Sequence, residues 1–219
     1  LKADEQGLDY VEIGGRPSRV SRGGTFAGLG SMGQVTREKG EFNPRLHYGE
    51  EVLLGAMDAK QRMQRLDLEG LDAVIIYPSL GLVWETECED ADYAQAMCRA
   101  YNRWIVDWCS DSGGRLIPVA HLSLGDPKAA AEELERAVKA GCKGGWVVQF
   151  TMTRKPHAHS DHDILFAKAQ ELDVPLGIHP SLEPQWALPG RYDLQYVRKH
   201  GFFLNLTASD AARHALASF

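Results

Sequence analysis

Four short apolar runs, with cores beginning near residues 72, 115, 145 and 174, alternate with helix-patterned segments at intervals of about 30 residues. This alternation constrains the fold more than any single motif, because repeated strand–helix–strand units with right-handed crossovers build a parallel sheet. Ala56, Ala59, Met63 and Leu66 recur at helical spacing, Gly70 is a stop signal, and "DAVIIYPS" follows as a β-branched strand ending in a proline turn. Ala94, Met97, Cys98, Tyr101, Ile105 and Trp108 share one face of a second helix. Gly113 and Gly114 break that helix, and "RLIPVAHLSL" runs extended into "GDP". Asp126 and Pro127 make a strong helix start, since aspartate caps free N–H groups and proline tolerates the first helical position. That helix reaches about Lys139 and "CKGGWVVQF" follows as a strand. Ser160 or Asp161 caps a further helix, carried by Leu165, Ala169 and Leu172, which feeds the strand "VPLGIHPS".

The strands are almost wholly apolar, as strands covered on both faces are, and no glycine-rich phosphate-binding motif opens a helix. The expected class is α/β, with a (β/α)8 barrel preferred to a nucleotide-binding sheet. Residues 56–219 carry this pattern. Residues 1–55 form an irregular N-terminal segment, in which "YVEIGGRPSRV" can turn as a hairpin at Gly14–Gly15 and "SRGGTFAGLGSMGQ" reads as loop.

Composition narrows the partners. An apolar share of 44% suffices for a substantial core, and a net charge of −6 with pI near 5.8 argues against a nucleic-acid phosphate backbone. No uninterrupted apolar stretch approaches a membrane span, and "LKADEQGLDY" lacks a signal-peptide pattern, so a cytoplasmic protein with no membrane partner is expected. Cys88, Cys98, Cys109 and Cys142 form no CxxC pair and are expected reduced, with Cys98 on the apolar side of its helix and Cys142 opening a strand.

In parallel α/β folds, functional groups gather at the carboxyl ends of strands. His179 ends "VPLGIH" and is followed by Pro180, so a neutral imidazole there is a candidate ligand for a divalent metal, against the alternative of a histidine merely hydrogen-bonded at the rim. The crowded "HAHSDH" of His157, His159 and His162 follows a proline and precedes a helix cap. It reads as an exposed loop, with His162 in the first helical turn facing solvent or stacking on a neighbour. His121 lies within a strand, where a satisfied core histidine is the commoner outcome. Tyr77 and Ser79 end the first strand and Gln149 the third, at the same predicted edge as His179. Trp186 and Arg191 follow His179 closely. Tyr77, Ser79, Trp186 and Arg191 are the candidate substrate-binding residues, the arginine being suited to a substrate carboxylate.

The segments "RMQRLDLEGLDAVIIYPSLGL", "AYNRWIVDWCSDSGGRLIPVAHLSLGDPKAAAEELERAV", "GCKGGWV" and "HDILFAKAQELDVPLGIHPS" stand in an order that resembles the amidohydrolase-related family of TIM-barrel metalloenzymes. The resemblance is to the branch that includes aminocarboxymuconate-semialdehyde decarboxylase, and it covers roughly residues 56–219. It implies that His179 ligates a divalent metal, zinc being the expected ion. The family takes further ligands from an HxH on its first barrel strand and an aspartate on its last, and this sequence displays neither. His157-x-His159 lies between the strands near 145 and 174 rather than on the first, and Asp210 in "SDAARHALASF" is a helix cap. The expectation is therefore a barrel incomplete in the chain given. The implied activity is metal-dependent hydrolysis of a small carboxylated or cyclic compound. The alternatives are non-oxidative decarboxylation at the same site and a non-catalytic barrel-derived binding module. A homo-oligomer is implied by resemblance alone.

Overall fold

Glycines and capping aspartates mark the element boundaries of the computed structural model, which describes residues 2–22, 55–78, 80–82, 84–181 and 184. These fall into two units, one drawn from Leu1–Trp84 and Trp104–Pro118, the other from Glu85–Arg103 and Val119–Phe219.

In the first unit, β1 (Lys2–Ala3) pairs antiparallel with β2 (Asp9–Ile13), which turns into β3 (Arg16–Arg22). The turn residues Gly14 and Gly15 have φ of 56° and 76°, and a side chain at either would be strained in this left-handed conformation. Helix α1 (Ala59–Glu69) begins where the Asp58 carboxylate accepts the Gln61 N–H, and ends at Gly70 in the left-handed conformation. Strand β4 (Val74–Ile76) then lies parallel to β5 (Leu116–Pro118). Arg115, just ahead of β5, donates to the Asp67 carboxylate and to the carbonyls of Leu71 and Asp72, each at 2.7 Å, which ties the end of α1 to the start of this sheet.

The second unit holds a parallel sheet in the order β6 (Ala120–His121), β7 (Gly145–Val148), β8 (Leu176–His179). Helices α3 (Pro127–Ala140) and α4 (Asp163–Glu171), numbered after the long helix α2 (Ala91–Cys109), pack against each other. Asp126 caps α3 by accepting the N–H groups of Lys128 and Ala129, with Pro127 in the first turn. Gly145 lets helix and sheet approach: a Cβ there would stand 2.7 Å from Leu122 Cδ1 and 3.2 Å from Leu134 Cδ1 of α3. The face carrying Gly145 and Val147 therefore meets α3. Alternation along the strands turns His121, Trp146, Val148 and His179 to the other face.

Two expectations change. "RLIPVAHLSL" is not one strand: β5 pairs with β4 and β6 with β7, with Val119 between them. Pro118 has no N–H to donate, which suits the end of a ladder. The helix after "HAHSD" starts as a 3-10 turn over Ser160–His162, capped by the His159 ring accepting the Asp161 N–H rather than by Ser160 or Asp161. Among the described residues no helix is long and apolar enough to cross a membrane.

Candidate functional site

His179 ends β8, paired in register with Val148 of β7, at the carboxyl edge of the parallel sheet. Its Nδ1 lies 2.8 Å from the Pro180 carbonyl oxygen. A carbonyl only accepts, so Nδ1 carries the proton and, in the neutral ring, Nε2 carries the lone pair. Metal-ligating histidines are held in this way, with the second ring N–H given to a carbonyl or carboxylate.

Two sets of contacts surround this imidazole. The first is an amide clamp. Gln149, one residue past β7 and 1% exposed, donates from Nε2 to the Ser181 carbonyl at 2.6 Å and accepts the Ser181 N–H at Oε1 at 2.7 Å. The second is an aromatic stack. The Trp146 indole meets His179 edge-on with centroids 5.8 Å apart, and its ring stacks on His121 at 3.8 Å and 18°. The residue paired with Trp146 on β8 is Gly177, which puts no side chain between the indole and His179.

His121 is the buried end of a polar network. Its Nε2 bonds Glu85 Oε2 at 3.0 Å, and the Ser123 hydroxyl donates to Glu85 Oε1 at 2.6 Å, all three side chains being buried. Asn102 of α2 accepts the His121 N–H at 2.7 Å, donates to the His121 carbonyl at 3.0 Å and also donates to Glu133 of α3. His121 is thus a buried core histidine, bonded through Nε2 and through its backbone N–H and carbonyl. Glu85 and Asn102 gave no signal, since neither stands at a strand end.

The histidine-rich loop corrects the sequence reading. His157 and His162 are buried, not solvated. His157 Nε2 donates to the Val148 carbonyl at 3.0 Å, and His162 Nδ1 donates to the His157 carbonyl at 3.1 Å, with its Nε2 2.8 Å from the Thr153 hydroxyl. Lys155 pairs with Asp161 across the same loop.

Tyr77 follows the last residue of β4 and is 39% exposed, in the first unit of the chain, whereas His179 is in the second. Ser79, Trp186 and Arg191 lie outside the described residues. Among the described residues no three histidine, cysteine or acidic side chains converge as a metal cage. The donors present therefore fit a share in a divalent site, the single imidazole of His179, and not a complete coordination sphere. The four cysteines are free and buried. Burial pushes the Cys109 thiol up to about 11, and burial together with the charges of Glu85 and Glu133 raises that of Cys98, which disfavours thiolate chemistry at either.

Comparison with known proteins agrees with the resemblance in the segment order. A gamma-resorcylate decarboxylase from a Rhizobium species is 28% identical over 179 residues, covering 77% of this chain and 52% of that protein. Of the solved structures, an amidohydrolase from Mycobacterium avium subsp. paratuberculosis matches 99% of this chain and 62% of its own, with a TM-score of 0.64 and 20% identity. A 5-carboxyvanillate decarboxylase from Novosphingobium aromaticivorans, solved with manganese and 4-hydroxy-3-methoxy-5-nitrobenzoic acid, matches 71% of this chain and 43% of its own, with a TM-score of 0.58 and 24% identity. The chain spans about half the length, or less, of the curated relatives it matches. The amidohydrolase family model (Amidohydro_2) matches residues 76–216, more than half of the chain, and the chain accordingly belongs to the amidohydrolase family.

Proposed function

We propose that this chain forms part of a divalent-metal-dependent decarboxylase for a small aromatic carboxylate, with His179 Nε2 as one metal ligand. The observation that carries the reading is the Nδ1–H bond of His179 to the Pro180 carbonyl, which leaves the lone pair on Nε2 at the carboxyl edge of a parallel sheet. Decarboxylation is preferred to hydrolysis because curated relatives that match this chain include two gamma-resorcylate decarboxylases and the decarboxylase orsB. The family description alone favours the hydrolytic reading, in which the same edge would serve an amide, ester or lactone.

In this reading residues 56–219 are a partial (β/α)8 barrel and residues 1–55 its N-terminal segment. The remaining ligands come from outside the described residues. A bound divalent ion supplies electrostatic stabilisation where negative charge develops. The reaction breaks the bond between ring carbon and carboxylate, releases carbon dioxide and puts a proton on the ring carbon. Tyr77, Ser79, Trp186 and Arg191 are assigned to the substrate pocket, Arg191 having a fork that matches a carboxylate. The reading also takes the protein to be cytoplasmic and to assemble as a homo-oligomer.

The test is elemental mass spectrometry on the longest form containing this chain and on its His179→Ala variant, followed by assays of carbon dioxide release from 2,6-dihydroxybenzoate and 5-carboxyvanillate. Near-stoichiometric manganese or zinc in the parent, lost with His179, and chelator-sensitive carbon dioxide release are expected. Ester or lactone turnover without carbon dioxide release would select hydrolysis. A parent without metal and without turnover would make the chain a binding module.

A further inference from the structure

We infer that Gln149 is a positioning residue for His179, acting through the peptide that carries the Pro180 carbonyl. The inference rests on the reading of His179 as a metal ligand for its purpose, but its geometry stands on the metal-free protein.

The His179 ring is anchored at Nδ1 by the Pro180 carbonyl, at 2.8 Å. That carbonyl belongs to the peptide joining Pro180 to Ser181. The N–H of the same peptide is the Ser181 N–H that Gln149 Oε1 accepts at 2.7 Å. One rigid planar unit is thus held at both ends, by His179 at its oxygen and by Gln149 at its nitrogen. The second Gln149 bond, from Nε2 to the Ser181 carbonyl at 2.6 Å, fixes the next peptide too. Two bonds in opposite senses define the amide orientation of Gln149, and its near-complete burial leaves water little chance to compete.

The consequence is for the tautomer. Without the clamp, the Pro180–Ser181 peptide can rotate about the flanking single bonds, the Pro180 carbonyl can leave Nδ1, and either ring nitrogen can carry the proton. With it, Nδ1 is committed as donor and Nε2 as the lone-pair atom. The same device recurs on β6, where Asn102 accepts the His121 N–H and donates to the His121 carbonyl. There the clamped residue is the histidine itself. On β8 the clamp is displaced by two residues, which leaves the His179 ring reachable while its anchor is held.

The experiment uses the longest form containing this chain, metal-free, with histidine ring nitrogens labelled. Long-range proton–nitrogen NMR reports which ring nitrogen of His179 is protonated, and Mn²⁺ titration reports affinity. The parent is expected to show the Nδ1-protonated form. Gln149→Met keeps the side-chain length and removes both bonds, and is expected to give averaged ring-nitrogen shifts and Mn²⁺ binding about 10–100-fold weaker, the range for losing an outer-shell partner. Gln149→Glu keeps the acceptor and loses the donor, is expected to fall between the two, and decides the matter if the Met variant does not fold. A His179 ring that stays Nδ1-protonated in these variants, with Mn²⁺ affinity unchanged, would overturn the inference. His179→Ala binding Mn²⁺ as the parent does would instead sink the metal-ligand reading, while the spectrum alone would still decide whether Gln149 sets the tautomer.

Discussion

Glu85 and His121 are 36 residues apart in sequence and 3.0 Å apart in the fold. Glu85 also receives the Ser123 hydroxyl, so Glu85→Ala strands an imidazole N–H and a hydroxyl in a place without water. The expected loss is about 3 kcal/mol, the scale for removing a charged partner from buried hydrogen-bonding groups. Urea unfolding measures it, and a midpoint equal to that of the parent would show that the network relaxes without cost. Because His121 stacks on Trp146, and Trp146 meets His179 by its edge, the same change should also broaden the His179 ring signals. Single residues were legible where the local pattern carried the reason. His179 ends its predicted strand and His121 lies within one, and the three-dimensional contacts give each its role: a backbone carbonyl holds the His179 ring and a core carboxylate the His121 ring. The burial of His157 and His162 was not legible, because their partners include the Val148 carbonyl and the Thr153 hydroxyl, which a polar sequence context hides.

At the level of elements, the Asp126 cap of α3 and the Gly70 stop of α1 translated directly, since each acts on N–H or C=O groups within a few residues of itself, whereas the cap expected from Ser160 or Asp161 is supplied by His159. Strand pairing was harder. Nothing local in "RLIPVAHLSL" says that its first part pairs with β4 and its second with β7. The close approach of α3 to β7 depends on Gly145. Gly145→Ala would put a methyl carbon 2.7 Å from Leu122 Cδ1, 3.0 Å from Leu176 Cδ2 and 3.2 Å from Leu134 Cδ1. Side-chain ends can shift but three at once cannot do so freely, and the expected cost is about 1–3 kcal/mol, as for overpacked cores. A thermal unfolding midpoint within a degree of the parent would refute that packing argument.

At the level of the whole molecule, the buried thiols tie stability to pH. An exposed thiol titrates near 9.0, and burial lifts Cys109 to about 11, so between these values the unfolded chain loses a proton that the folded chain keeps. Stability is therefore fully present below pH 9 and falls as pH rises toward 11. Cys109→Ala should show a shallower fall in melting temperature across this window than the parent, and parallel curves would rule out the thiol as a cause. The amino-acid sequence by itself determined the alternation of strands and helices, their caps and turns, the family, and the placing of His179 at a strand end. The family came from a resemblance in the order of segments, and the rest depends on periodicity and on hydrogen bonds made within a few residues. Only the tertiary structure decided that Gln149 grips Ser181 and that Glu85 meets His121. The physical reason is that hydrogen-bond partners distant in sequence are selected by packing, through the register of β6, β7 and β8, and no local pattern encodes that register.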